Sequence, residues 1–213
     1  MTKKQAQERT ANARLLLKEL KQLVPNAQMI LEYSNNWELV VAVSLSAQCT
    51  DKKVNEVTRQ LFKKYPRLED YIHADIHEFE RDIFSTGFYK NKAKNVLAGA
   101  RVVQEQFGGG IPRTIAELVL IPGVGRKTAN VVLGNAYGIY EGVAVDTHVR
   151  RFAQNFGLTD SDNPDIIERD LMRILPQSEW FAFTYYAIEY GRQYCPARCK
   201  HADCPLKNHL STP

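Results

Sequence analysis

With 213 residues, the chain is long enough for one large hydrophobic core or for two small ones sharing an interface. Its 44% hydrophobic and 24% charged residues suit a globular protein with a real core, and no apolar run approaches the roughly 20 residues that a membrane helix needs. A net charge of +4, from 28 basic and 24 acidic residues, suits a nucleic-acid binder without establishing one.

The chain opens Met1-Thr2-Lys3-Lys4-Gln5 and runs into charge with no apolar segment behind it, so no secretory signal is expected and a cytoplasmic location is. From there helix follows helix. Residues 11–24 carry a stripe of Leu16, Leu20, Leu23 and Val24 that stops at Pro25. Leu39-Val40-Val41-Ala42-Val43 is β-branched and scores as a strand on propensity, but it has no partner strand, and Asn36 offers a cap for a buried helix. Asp51 is placed to cap a helix bearing Val54, Val57 and Leu61, ended by Tyr65-Pro66. Residues 91–107 align Val96, Ala100, Val103 and Phe107 before a run of three glycines. Thr114-Ile115-Ala116-Glu117 is a capping box opening a short helix over 115–120. Asn163-Pro164 starts a helix with Ile167, Leu171 and Ile174, and residues 178–190 form a last apolar helix closed by Gly191. The fold class is all-α.

Between two of these helices lies Leu120-Ile121-Pro122-Gly123-Val124-Gly125-Arg126-Lys127-Thr128, with the second helix starting near Arg126. The two glycines let the backbone turn tightly and hold no side chain against a ligand. The turn's amides and the dipole of the next helix then form an anion site suited to a DNA phosphate. Two glycines one residue apart fit a purely structural helix–helix turn equally well, and the basic pair Arg126-Lys127 favours phosphate. The pattern, spanning about 115–137, is a helix-hairpin-helix used for sequence-independent DNA contact. Other basic residues gather at Lys90-Asn91-Lys92-Ala93-Lys94 and Arg150-Arg151, as solvated faces or phosphate contacts.

Lys127 is either one more phosphate contact or a nucleophile. An amine attacks a sugar carbon only in its neutral form, and a helix N-terminus, partial burial and adjacent Arg126 favour that form. A nucleophilic lysine also needs a carboxylate to manage protons. Val145-Asp146-Thr147-His148 supplies one, although Asp146 reads equally as the N-cap of the helix that follows.

Four stretches carry a family likeness: Leu45-Ser46-Ala47-Gln48-Cys49-Thr50-Asp51, Gly87-Phe88-Tyr89-Lys90-Asn91-Lys92-Ala93, Pro122 to Val132, and Val145 to His148. In their order and spacing the chain resembles the endonuclease III family of helix-hairpin-helix DNA glycosylases, from about Leu15 to Leu206. The resemblance implies a bifunctional DNA glycosylase and abasic-site lyase that excises oxidised pyrimidines from double-stranded DNA. Lys127 would attack C1′ and form a Schiff base, Asp146 would assist departure of the base, and β-elimination would cut 3′ to the abasic site. The damaged nucleotide must first leave the stack. Gln48 and Phe88 match positions that fill the resulting gap, although Phe88 also reads as a core phenylalanine. Gly123, Val124, Gly125, Arg126 and Thr128 match the DNA-contacting hairpin. Asp51, Tyr89 and His148 match positions near the pocket, while a helix cap and a core histidine explain Asp51 and His148 equally.

The resemblance also implies a [4Fe–4S] cluster on cysteines spaced C-x6-C-x2-C-x5-C. Here Cys195 matches the first ligand and Cys204 the third, one residue is deleted between them, and the second and fourth positions fall on His201 and on Leu210 beside His209. Cys199 stands out of register. The tail, 195–209, holds a cluster or zinc on these cysteines with His201 or His209, or else packs without metal. The chemistry at Lys127 needs no cofactor. Two helical lobes are expected, 33–141 with the hairpin and 1–32 joined to 142–213, with DNA in the cleft between them and the protein acting as a monomer. Two other readings stay open. An adenine glycosylase of the same family normally lacks a lysine at position 127 and carries a further C-terminal domain. A non-catalytic hairpin protein would keep the glycines but need neither Lys127 nor Asp146.

Overall fold

The computed structural model describes residues 3–210; positions 1, 2 and 211–213 of the expected second lobe lie outside the described residues. Among the described residues every regular element is helical, and no helix is long and apolar enough to cross a membrane. The chain divides into two compact units. Residues 30–141 form the hairpin unit, starting three residues before the expected Tyr33, and the chain up to Met29 joins that from Gly142 onward in the tail unit.

Helix α1 (Lys3–Leu23) belongs to the tail unit and starts eight residues before the apolar stripe that signals it. None of residues 3–10 is buried. Ala13, Leu16, Leu17 and Leu20 face the core, and Arg9 pairs with Asp160 at 2.5 Å.

The hairpin unit is built on α2 (Asn36–Leu45), α3 (Asp51–Lys64), α4 (Leu68–Ile72), α5 (Ile76–Asp82), α6 (Tyr89–Phe107), α7 (Ile115–Leu118) and α8 (Arg126–Tyr137). The β-branched stretch is helical in α2, where Trp37 to Val43 are all buried. A helix apolar on every face belongs at the centre of a core, and burial there outweighs the local β preference. Its cap is Asn35, not Asn36: the Asn35 side chain accepts from Glu38 N at 2.9 Å while Glu38 accepts from Ser34 N at 2.6 Å. The same one-residue shift occurs at α3, where Thr50 rather than Asp51 caps by accepting from Lys53 N. Both corrections have one cause. The capping residue has extended dihedrals, and a sequence with two adjacent capping types does not say which one leaves the helix.

Helices α4 and α5 are too short for periodicity to reveal. Their buried members Tyr71 and Phe79 meet Trp37 and Tyr65 in a ring cluster with centroid separations of 5.4 to 5.8 Å. Helix α6 starts at Tyr89, two residues earlier than expected, and α7 ends at Leu118, two residues sooner. Thr114 and Glu117 form the expected capping pair.

The tail unit adds α9 (Thr147–Asn155), α10 (Pro164–Ile174) and α11 (Trp180–Gln193) to α1. Its core gathers Leu16 and Leu20 with Phe152, Phe156, Phe183 and Tyr190, whose rings meet edge-on or tilted. Gly191 does not close α11, as the sequence suggested, but lies inside it. A Cβ there would stand 2.5 Å from His148 Nδ1 and 3.2 Å from Arg151 Nη2, so the glycine is needed for the close approach of α9 and α11.

Candidate nucleic-acid interface and catalytic residues

One face of α6 organises the hairpin unit. Residues three and four apart lie on the same side of a helix, and here that side carries Tyr89, Lys92, Asn95 and Gly99. At Gly99 a Cβ would meet Ile121 Cγ2 at 3.1 Å and the Pro122 carbonyl oxygen at 3.7 Å, so the hairpin packs directly on the helix. One turn earlier, Asn95 packs under Gly123, where a Cβ would come within 2.9 Å of Asn95 Cβ. Gly123 also has φ of +82°, a conformation that side chains rarely adopt. Steric room and dihedral both require glycine at this position.

Gly125 differs. Its backbone is extended, and an added Cβ would meet no heavy atom within 4 Å. It caps α8 and, as a glycine, brings no side chain of its own over the first turn of that helix. Helix N-termini of this kind accept an anion. Arg126 and Lys127 are exposed and Thr128 is half-buried. The partial burial expected of Lys127 is therefore absent, and its amine is open to a ligand from outside. Val124 is buried at 5% exposure, so it contributes a backbone amide rather than a side chain.

By its place in the sequence, Lys92 belongs to a basic surface run. The structure buries it instead, with Nζ donating to the carbonyls of Leu45 and Thr86, both at 2.8 Å. Burial lowers its pKa, and the Cys49 thiol opposes that shift. Lys90 and Lys94, on either side, remain exposed. Leu45 ends α2 just before Gln48, and Thr86 ends the turn just before Phe88. Lys92 thus ties together the two segments that carry the expected wedge residues. Nothing in the local pattern separates it from Lys90 and Lys94 except its place on the α6 stripe.

Gln48 and Phe88 share an unusual backbone. Their φ values are +53° and +49°, the left-handed region that non-glycine residues seldom occupy. Both are exposed, Phe88 at 64%, which overturns the core-phenylalanine reading. Neighbouring Phe84 is 62% exposed and packs on Tyr89 with ring centroids 4.8 Å apart. Strained backbone that presents side chains to solvent is held in place by its surroundings, and such strain gathers at functional positions. Asp51, in the first turn of α3, is half-buried, as is Tyr89.

In the tail unit, Asp146 caps α9. Its Oδ1 accepts from His148 N and Val149 N, both at 2.8 Å. The cap fixes the direction of the carboxylate and engages only one of its two oxygens. His148 turns its ring toward α11, with Nδ1 3.2 Å from Arg151 Nη2. Arg151 also donates to the carbonyl of Cys195 at 3.1 Å, whereas Arg150 is exposed.

The tail brings Cys195, His201 and Cys204 together, with their ligand atoms all within 4.8 Å of one another. The Cys199 sulfur accepts from His201 N at 3.3 Å. His209 is not part of this group: its Nε2 lies 2.9 Å from Glu19 of α1. Burial, and then the neighbouring Cys199 and Cys204, push the Cys195 thiol up to about 11.

A family model described as the HhH-GPD superfamily base excision DNA repair protein matches residues 41–177. Among curated relatives, the endonuclease III of Synechocystis sp. is 49% identical over 84% of this chain and 82% of its own length. That of Bacillus subtilis is 46% identical over 89% of this chain and 87% of its own. A solved structure of a trapped endonuclease III–DNA covalent intermediate superposes with a TM-score of 0.90 at 40% identity, covering 94% of this chain and 95% of that one.

Proposed function

The chain belongs to the HhH-GPD superfamily of base excision DNA repair proteins, and from that premise we propose that it excises oxidised pyrimidines from duplex DNA and cuts the strand through Lys127. Its function is that of a DNA glycosylase, and double-stranded DNA with a damaged base or an abasic site is its partner. A cytoplasmic location suits that partner in a bacterium.

The observation that carries the residue assignment is the position of Lys127. It stands exposed on the first turn of α8, immediately beyond a hairpin whose glycine at 123 is imposed by contact with α6. The hairpin amides hold a backbone phosphate, which places the amine at a sugar rather than at a base edge. Gln48 and Phe88 occupy the gap as the damaged nucleotide leaves the stack. The Lys127 amine donates its electron pair to C1′, the glycosidic bond breaks, and the base departs with that bond's electrons. Asp146 accepts the proton that the amine must lose and stabilises the positive charge that develops on the sugar. Ring opening gives a Schiff base. Loss of a C2′ proton then expels the 3′ phosphate and leaves the strand cut. No step calls on a metal or a cofactor.

Incubation with a duplex containing thymine glycol, followed by borohydride reduction, tests this reading. Release of the base, 3′ incision and a reduced protein–DNA adduct are the expected result. An intact strand with no adduct would overturn it.

Lys92 gives a second expected outcome. Lys92→Met keeps the length of the side chain but removes both hydrogen bonds to Leu45 and Thr86. The two strained turns are then without their common anchor, and a misplacement of about 1 Å lowers base excision by about 10- to 100-fold. Affinity for undamaged duplex, which rests on the hairpin and surface charge, should stay within about twofold. Comparison of single-turnover excision with duplex binding in the same variant checks this, and unchanged excision would show that Lys92 has no part in placing the wedge residues.

A further inference from the structure

We propose that the tail holds one tetrahedral thiophilic ion, zinc by its chemistry, on Cys195, Cys199, His201 and Cys204, in place of the four-iron cluster that the family resemblance implies. In a tetrahedral site with Zn–S bonds of about 2.3 Å and Zn–N bonds of about 2.0 Å, neighbouring ligand atoms stand about 3.5 to 3.8 Å apart. Cys195 Sγ and His201 Nδ1 are separated by 3.7 Å, and Cys204 Sγ lies within 4.8 Å of both. The thiolates of a cubic cluster must instead surround the cube, so they stand farther apart than the edge of a one-ion tetrahedron. The 3.7 Å pair matches the edge of a one-ion tetrahedron. The count of donors agrees. The tail has three cysteines where a cluster of the family pattern uses four, and its fourth position falls on Leu210.

The surroundings have what a closed thiolate site needs. The Cys199 sulfur lies outside this tight group but accepts from the His201 N–H at 3.3 Å, which keeps it next to the group for the fourth position. His201 has φ of +59°, so a strained non-glycine turn aims its ring back at Cys195. The Tyr190 hydroxyl is hydrogen-bonded to the Cys204 sulfur, and Asn155 Nδ2 approaches the Cys195 sulfur at 4.0 Å. Such outer partners orient metal-bound thiolates. Three thiolates and a divalent ion carry one net negative charge, and Arg151, bonded to the Cys195 carbonyl, stands nearby to balance it. All four corners come from protein atoms, so the site is structural rather than catalytic. Its task is to fasten residues 195–206 onto the end of α11, where Cys204 and Leu206 enter the core.

The test uses the full chain, expressed in medium supplemented with both iron and zinc and purified without oxygen. The expected result is about one zinc per chain, with neither iron nor an absorbance band near about 400 nm. Cobalt(II) added to the chelator-treated protein should give the intense visible bands of a tetrahedral thiolate site. His201→Ala should lose most of the zinc and lower the thermal midpoint by roughly 5 °C or more. If that variant does not fold, the cobalt spectrum of the unaltered chain decides alone. Iron near four per chain with the 400 nm band, or a chain that takes up neither zinc nor cobalt, would overturn the proposal. Either result leaves the glycosylase reading untouched, because activity is not the readout.

Discussion

Lys127→Ala is expected to abolish the borohydride-trapped adduct with abasic-site DNA and to slow strand incision by roughly 10³-fold or more. The size of the effect follows from the role. Were Lys127 only a phosphate ligand, its removal would weaken binding and reduce the salt dependence by about one counterion, while leaving turnover at saturating DNA nearly unchanged. A missing nucleophile cannot be restored by raising the DNA concentration. Lys127 is exposed, so its truncation opens no cavity and should leave the thermal midpoint unaltered. Affinity for a duplex carrying an uncleavable abasic analogue should fall by less than about tenfold, since Gly123, Gly125 and the α8 amides persist. An undiminished adduct in this variant would show that another amine performs the attack.

The second large effect belongs to Asp146, where the simpler reading as a helix cap must be separated from chemistry. Asn and Asp are nearly equal as N-caps. Asp146→Asn therefore keeps the acceptor for His148 N and Val149 N and removes only the charge. Base excision should fall by about 10²- to 10⁴-fold, the usual range for a proton-managing group, with little change in stability. Asp146→Ala removes the cap as well, adding a loss of about 1 kcal/mol in folding free energy. Chemical denaturation and single-turnover excision on both variants separate the two roles. If Asp146→Asn excised bases at the unaltered rate, the carboxylate would be a cap and nothing more.

Much of the candidate site is legible in the order of residues along the chain. The hairpin glycines, the lysine after them and the aspartate of the second motif lie in short local patterns whose spacing carries their meaning. Helix existence is legible for the same reason, because stripes such as Leu16, Leu20 and Val24, or Ile167, Leu171 and Ile174, repeat over several turns. Element ends are less so. Asn35 and Thr50 displace Asn36 and Asp51 as caps, and Gly191 lies within its helix, because each of these depends on which residue's dihedrals leave the helix or on what packs opposite.

Other features have little local sign. Lys92 and its neighbours Lys90 and Lys94 look alike in sequence, and only the approach of Leu45 and Thr86 makes one of them a buried clamp. The left-handed backbone at Gln48 and Phe88 is imposed by the surrounding turns, which side-chain identity does not encode. The hairpin shows the division most clearly. Chain order alone determined that a glycine-bearing turn between two helices is followed by a lysine, since both lie within a few residues. Only the tertiary structure decided that Gly123 answers to Asn95, that Gly125 answers to nothing in the protein, and that Cys195, His201 and Cys204 converge while His209 pairs with Glu19. Local spacing specifies which chemical groups are near one another along the chain, whereas burial and close approach arise from residues far apart in it.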